Sequence, residues 1–135
     1  MPEYATELFQ LVNNADYAFY KLCVNGECPI DKFLSEVERN SRSKKSMVSI
    51  IALMDSFGPR CMLPKTKFRQ IESVGRRDVF EFKKDDLRVY VVKQKPKVFV
   101  VIGGFKKNQD PDIRRLKTML KDFPEDYQPK SITEQ

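Results

Sequence analysis

Arg88 and Tyr90 stand two residues apart in Leu87-Arg88-Val89-Tyr90, and Glu81 and Lys83 stand two apart in Val79-Phe80-Glu81-Phe82-Lys83. In an extended strand, alternate side chains share a face. Phe80 and Phe82 then take one side of the first segment, and Leu87, Val89 and Val91 one side of the second. Pairing the two strands by their apolar sides gathers Glu81, Lys83, Arg88 and Tyr90 on the opposite face in either of the two nearest registers. A guanidinium there can hold two phosphate oxygens at once. In one register Lys83 faces Arg88, a like-charge pair that costs stability unless an anion fits between them. The plainer reading is a polar, solvent-facing sheet surface.

Further along, an apolar run ends in Gly103-Gly104-Phe105-Lys106-Lys107. Glycines at a strand end let another backbone or a ligand approach closely. An aromatic ring beside two cations suits single-stranded RNA, with the ring as a stacking platform and the lysines on phosphates. Phe105 as an ordinary core plug is the competing reading. Arg77, Lys83 and Phe105 are the candidate RNA contacts around the first group.

The charge distribution points the same way. The net charge is +6, but residues 76–117 carry 13 basic and 6 acidic groups, whereas residues 1–60 carry 7 and 8. A basic block inside a folded half is the electrostatic footprint of a polyanion partner, nucleic acid first, although a lysine-rich solvated face has the same composition. The chain has no histidine, which removes the usual serine and cysteine hydrolase triads and the commonest metal ligand. No P-loop or Rossmann fingerprint is present. An enzyme built on this sequence works with Arg, Lys, Tyr and carboxylates, and neither a metal nor a small-molecule cofactor is expected. Cys23, Cys28 and Cys61 are odd in number and lack a zinc-like second pair, so reduced thiols are expected.

The elements that must position these residues follow from periodicity. A single domain of 135 residues is expected, with no apolar run long enough to span a membrane and no signal-peptide layout, hence a cytoplasmic protein. Tyr4, Leu8, Leu11 and Val12 suggest a short helix over 3–12. Tyr17–Val24 reads as a strand closed by Asn25-Gly26. A helix from Pro29 or Asp31 places Ile30, Phe33, Leu34 and Val37 on one side. A second, capped by Ser43, carries Met47, Ile50, Ile51, Met54 and Phe57, and Gly58-Pro59 ends it. Strands are expected at Phe68–Ser73, Val79–Lys83, Leu87–Lys93 and Lys97–Ile102. A last helix starts at Asp110-Pro111, exposes Ile113, Leu116, Leu120 and Phe123 on one stripe, and stops at Pro124. The order β-α-α-β-β-β-α predicts an α+β domain, a helical hairpin packed on a small twisted antiparallel sheet with a C-terminal helix.

Three segments in this order resemble the signature of RelE/HigB-type toxins, in their phage-derived HigB-like branch: Glu81-Phe82-Lys83, Leu87-Arg88-Val89-Tyr90 and Val101-Ile102-Gly103-Gly104-Phe105-Lys106-Lys107. Asn25-Gly26-Glu27-Cys28-Pro29-Ile30 before Phe33-Leu34, and Leu53-Met54-Asp55-Ser56-Phe57-Gly58, look like that branch's strand-to-helix passage and the end of its second helix. Two positions depart from the pattern: Gly103 stands where a histidine is usual, and Lys83 where arginine is more frequent. The likeness covers residues 17–123, leaving 1–16 as an N-terminal lead and 124–135 as a polar tail. It implies a RelE-like fold and the toxin of a type II toxin–antitoxin pair. Such a toxin cleaves mRNA, often on the ribosome, by attack of a 2′-hydroxyl on the adjacent phosphate, and its partner is an antitoxin protein. The roles it implies are Arg88 as phosphate clamp and Lys106 and Lys107 as transition-state or leaving-group cations. Glu81 would be base or orienting group, and Tyr90 a stacking or positioning group. Two alternatives stay open, a ParE-like inhibitor of DNA gyrase and a non-catalytic basic RNA-binding module of phage origin.

Overall fold

The computed structural model describes residues 3–12, 15–57, 67–74, 77–94, 96–124 and 127. Six strands and three helices follow one another as β1 (Tyr4–Leu8), β2 (Ala18–Val24), α1 (Pro29–Glu38), α2 (Ser41–Ser56), β3 (Phe68–Val74), β4 (Arg77–Lys84), β5 (Leu87–Gln94), β6 (Lys97–Phe105) and α3 (Gln109–Leu120). A single turn of 3₁₀ helix, Lys106–Asn108, joins β6 to α3. The class is α+β, and among the described residues no helix is long and apolar enough to cross a membrane.

The strands form one mixed sheet in the order β1-β2-β6-β5-β4-β3. The expected sheet was small and antiparallel; the observed one is larger, and β2 runs parallel to β6, with Ala18 opposite Lys97 and Lys21 opposite Val100. The central strand explains this. Val98 to Ile102 are all buried, as befits a strand with neighbours on both edges and cover on both faces.

One face carries Phe82, Leu87, Val89, Val91, Val98 and Val100 against Ile30, Phe33 and Val37 of α1 and Met47, Ile50 and Met54 of α2. Each fully buried aliphatic or aromatic side chain there contributes about 1.5–3 kcal/mol relative to exposure. The other face carries Val79, Tyr90, Val92, Phe99, Val101 and Ile102 beneath Leu116, Leu120 and Phe123. The predicted stripe of the last helix is therefore the lid of a second core.

Four local expectations are corrected. Residues 3–12 do not form a helix: β1 pairs antiparallel with β2, Tyr4 opposite Val24 and Leu8 opposite Tyr20. Pairing with an existing strand outweighs weak local helical spacing. The cap of α2 is Asn40, whose side-chain oxygen accepts from the Ser43 N–H at 3.0 Å, so Ser43 supplies the donor. The last helix begins at Gln109, with Asp110 and Asp112 in its first turn, where carboxylates meet the positive end of the helix dipole. Cys23 and Cys28 are joined by a disulfide. The turn at Asn25 and Gly26, with φ of 53° and 85°, folds the chain back between them. The expected helix stop at Gly58-Pro59 lies outside the described residues.

Candidate functional site

The register of β4 on β5 is the one that opposes like charges: Glu81 pairs with Tyr90, and Lys83 with Arg88. The strands are joined at Asp85-Asp86, where Asp85 takes a left-handed φ of 53°, a conformation that aspartate tolerates better than most residues. On its other edge β5 pairs with the end of β6, Leu87 opposite Phe105 and Arg88 opposite Gly104. The Lys106 N–H then donates to the Asp86 carbonyl at 2.7 Å. These bonds stitch the β4–β5 turn to the segment that carries the two lysines.

Two cavities flank that turn. The first, of 270 Å³, is lined by Lys67, Lys83, Lys84, Asp85 and Arg88. The second, of 560 Å³, is lined by Asp86, Phe105, Lys106 and Lys107. Four cations thus converge on the first cavity with one carboxylate among them. Asp85 is already engaged: it accepts from the Ser46 hydroxyl of α2 at 2.6 Å. That hydrogen bond holds its carboxyl below the usual carboxylate range, against a cost of burial and with help from the Lys84, Arg42 and Lys67 charges.

Arg88 is 7% exposed. Its Nη1 donates to the Asp85 carbonyl at 2.9 Å and the Leu87 carbonyl at 2.8 Å, so the guanidinium closes the turn from beneath. Its Nε is buried and has no hydrogen-bond partner among the described residues. A buried guanidinium N–H without an acceptor costs several kcal/mol at most and about 1–3 kcal/mol typically.

Glu81 and Tyr90 share the predicted face, but that face is not open. Both are fully buried, because α3 and Phe123 cover the sheet there. Both Glu81 oxygens are taken, Oε1 by Arg69 Nε at 2.7 Å and Oε2 by Gln109 Nε2 at 2.7 Å. The carboxylate ties β3 to the first residue of α3, directly after the Lys106–Asn108 turn, and does not touch Arg88 through these bonds. The Tyr90 hydroxyl and Asp112 Oδ2 are buried without a hydrogen-bond partner among the described residues. Burial, then the Glu81 and Asp112 charges, pushes the Tyr90 phenol well above its ordinary value, so it stays neutral. Burial likewise raises Asp112, opposed by Arg115.

Phe105 is half-buried at the edge of the first core. Its ring meets Phe33 edge-on with centroids 5.5 Å apart, and it also lines the larger cavity. Gly103 and Gly104 are tight for different reasons: a Cβ on Gly103 would run into the Phe33 ring, and one on Gly104 into the Asp112 carboxylate. The structure thus brings Lys83 and Arg88 to one cavity, Phe105, Lys106 and Lys107 to its neighbour, and Glu81 and Tyr90 behind them. Arg77 is not brought there. It opens β4 opposite Val74, about 20 Å along the strand from Lys84 at 3.3 Å per residue, and its side chain lies outside the described residues.

Sequence reasoning missed Lys67, Lys84 and the two turn aspartates. Lys67 precedes β3 in the sequence and joins the site because its carbonyl accepts from the Lys83 N–H at 2.8 Å; only the β3–β4 register reveals that. Lys84 and the aspartates were visible as a tight turn between two strands whose chemistry lay at that end. No protein-family model matches this chain, and no curated protein or solved structure is significantly similar to it.

Proposed function

We propose that this chain binds single-stranded RNA at the β4–β5 turn and cleaves it, as the toxin of a type II toxin–antitoxin pair related to RelE/HigB. The observation that carries the reading is the 270 Å³ cavity in which Lys67, Lys83, Lys84 and Arg88 converge beside the Phe105-Lys106-Lys107 cavity. A phosphate in the first cavity meets the Arg88 side chain and up to three ammonium groups. A base in the second stacks on Phe105 while Lys106 and Lys107 take the flanking phosphate. The helical hairpin on the sheet and the RelE-like arrangement belong to the same reading.

In the proposed chemistry the 2′-hydroxyl gives up its proton to solvent as its oxygen attacks the neighbouring phosphorus, the bond to the 5′-oxygen breaks, and a 2′,3′-cyclic phosphate remains. The five-coordinate phosphorane carries an extra negative charge, which preorganised cations stabilise better than the ground state. Arg88 and Lys83 serve as clamp, and Lys106 or Lys107 as proton donor to the departing 5′-oxygen. Glu81 acts as a positioning residue, since both of its oxygens are occupied. Tyr90 is a packing residue of the second core.

The burial of Glu81 and Tyr90 favours a second reading, RNA binding without cleavage. One experiment separates the two. The purified chain is mixed with end-labelled single-stranded RNA, with and without ribosomes, and with the same RNA carrying 2′-deoxyribose throughout. Cleavage of the ribose strand into cyclic-phosphate ends, with binding of both strands, supports the nuclease. Salt-dependent binding of both without cleavage supports the binding module, with log affinity falling against log salt by about 0.7 per phosphate neutralised. Absence of binding to either strand refutes the site.

A further inference from the structure

The disulfide between Cys23 and Cys28 lies at the far end of β2 from the β2–β6 entry residue Ala18 and takes no part in the RNA site. We propose that it is a thiol–disulfide exchange site, with Cys28 as the sulfur that reacts with small external disulfides and thiols and Cys23 as the resolving sulfur.

The two sulfurs differ in access. Cys23 is 4% exposed, on a strand flanked by β1 and β6. Cys28 is partly exposed and is the N-cap residue of α1, where its side chain makes no capping hydrogen bond. The ten-residue α1 presents its positive end to that sulfur, and thiolates are favoured at helix N-termini. A carboxylate completes the group. Glu7 Oε2, from β1, is 3.6 Å from Cys28 Sγ and 4.0 Å from Cys23 Sγ, so one oxygen lies beside both sulfurs and is placed to take the Cys23 proton once the bond is reduced. Lys21 holds Glu7 in place at 3.3 Å and is itself held by Asp31 of α1 at 2.8 Å.

The exchange balances without any further reactant. The Cys28 thiolate attacks one sulfur of a small disulfide RSSR, the S–S bond of RSSR breaks, and RS⁻ leaves. Cys23, its proton passing to Glu7, attacks Cys28 Sγ in the mixed disulfide and expels a second RS⁻. The two protons end on the two released thiols: the protein dithiol is oxidised, and RSSR is reduced to two RSH. The bond also closes the loop that carries Asn25, whose N–H donates to the Glu3 carbonyl at 2.7 Å and whose Oδ1 accepts from the Glu3 N–H at 2.9 Å. The oxidised form therefore fastens the start of β1.

The test uses the full chain with Cys61→Ser, folded, in glutathione buffers of graded ratio, followed by acid quench and mass spectrometry. The expected result is reversible conversion between dithiol and disulfide without denaturant. Cys23→Ser should accumulate one glutathione on Cys28, and Cys28→Ser should leave Cys23 at least roughly tenfold slower to react. Glu7→Gln should slow closure of the Cys23–Cys28 bond several-fold while circular dichroism stays unchanged. Should Cys23→Ser fail to fold, Cys23→Ala serves in its place. A disulfide that no glutathione ratio opens in the folded chain is a structural cross-link and overturns the proposal. So does equal reactivity of the two cysteines in the single variants. Closure at an unaltered rate in Glu7→Gln overturns the role of the carboxylate.

Discussion

Gly103→Ala tests whether the strand end beneath Phe105 is packed as tightly as the coordinates require. A Cβ at this position would sit 2.6 Å from Phe33 Cε2 and 2.7 Å from Phe33 Cγ, with Cδ2 nearer still, where carbon atoms ordinarily rest about 3.5–4.0 Å apart. The ring cannot simply swing aside. Phe33 is 4% exposed and meets Phe105 on another side at 5.5 Å. Overpacking of this kind costs about 1–3 kcal/mol, and a loss of about 2 kcal/mol lowers Tm by roughly 6–10 °C at this chain length. Urea denaturation followed by far-ultraviolet circular dichroism measures it. The attribution to Phe33 is tested by a double-mutant cycle: Phe33→Leu alone is destabilising, but combined with Gly103→Ala the costs should fall short of additivity by about 1 kcal/mol. Wild-type stability in Gly103→Ala, or strict additivity, refutes the reasoning. The same contact bears on the site, because a displaced Phe33 pushes Phe105 toward the larger cavity, so Gly103→Ala should also weaken RNA binding.

Arg88→Ala should lower stability by about 2 kcal/mol, measured by the same urea titration, because it removes both Nη1 bonds and uncovers the Asp85 and Leu87 carbonyls. Arg88 lies beneath the turn and not on an open face, so its removal costs the fold as well as any ligand contact. Tyr90→Phe should keep or slightly raise stability and leave RNA binding intact, since it deletes a buried hydroxyl that has no partner among the described residues; a thermal melt and a binding isotherm check both. Asp112→Asn should stabilise the chain at neutral pH. Burial raises this carboxyl in the fold above its unfolded value, so its charged form costs stability at neutral pH. That cost disappears as pH falls through the folded value and the group is protonated in both states. The stability difference between variant and parent, measured across pH, should therefore close on acidification; a difference that widens refutes the assignment.

The strand alternation was legible because it is local. Glu81 and Lys83, and Arg88 and Tyr90, do share a face, and the like-charge register is the one adopted. Legibility ended where a second face had to be covered. Val79 and Val92 lie on the same side as Glu81 and Tyr90, and β6 is apolar on both sides from Val98 to Ile102. Together they signal that no face of the central sheet is free, and the stripe Ile113, Leu116, Leu120, Phe123 is the cover they require. The misreading of residues 3–12 has another cause. Tyr4 and Leu8 fit a helix and a strand about equally well, and the partner that decides between them, β2, pairs only once the fold exists. Lys67 was illegible for the same reason, since its place depends on a backbone bond to Lys83 sixteen residues later.

A cluster of cations is a cost to a fold unless something offsets it. Here the offset is partly internal: Arg88 spends one nitrogen on two turn carbonyls, and Asp85 lends its charge while it is fixed by Ser46. Lys67, Lys83 and Lys84 have no ion pair among the described residues. The fold thus holds the Arg88 guanidinium in position before any ligand arrives, which lowers the ordering cost of the binding step. Glu81 extends this logic across the sheet. By binding Arg69 of β3 and Gln109 at the start of α3, one buried carboxylate fixes both the strand that follows Lys67 and the turn that carries Lys106 and Lys107. The helix that closes the second core is therefore also the element that sets where the two lysines stand, and packing on one side of the sheet determines the electrostatics at its end.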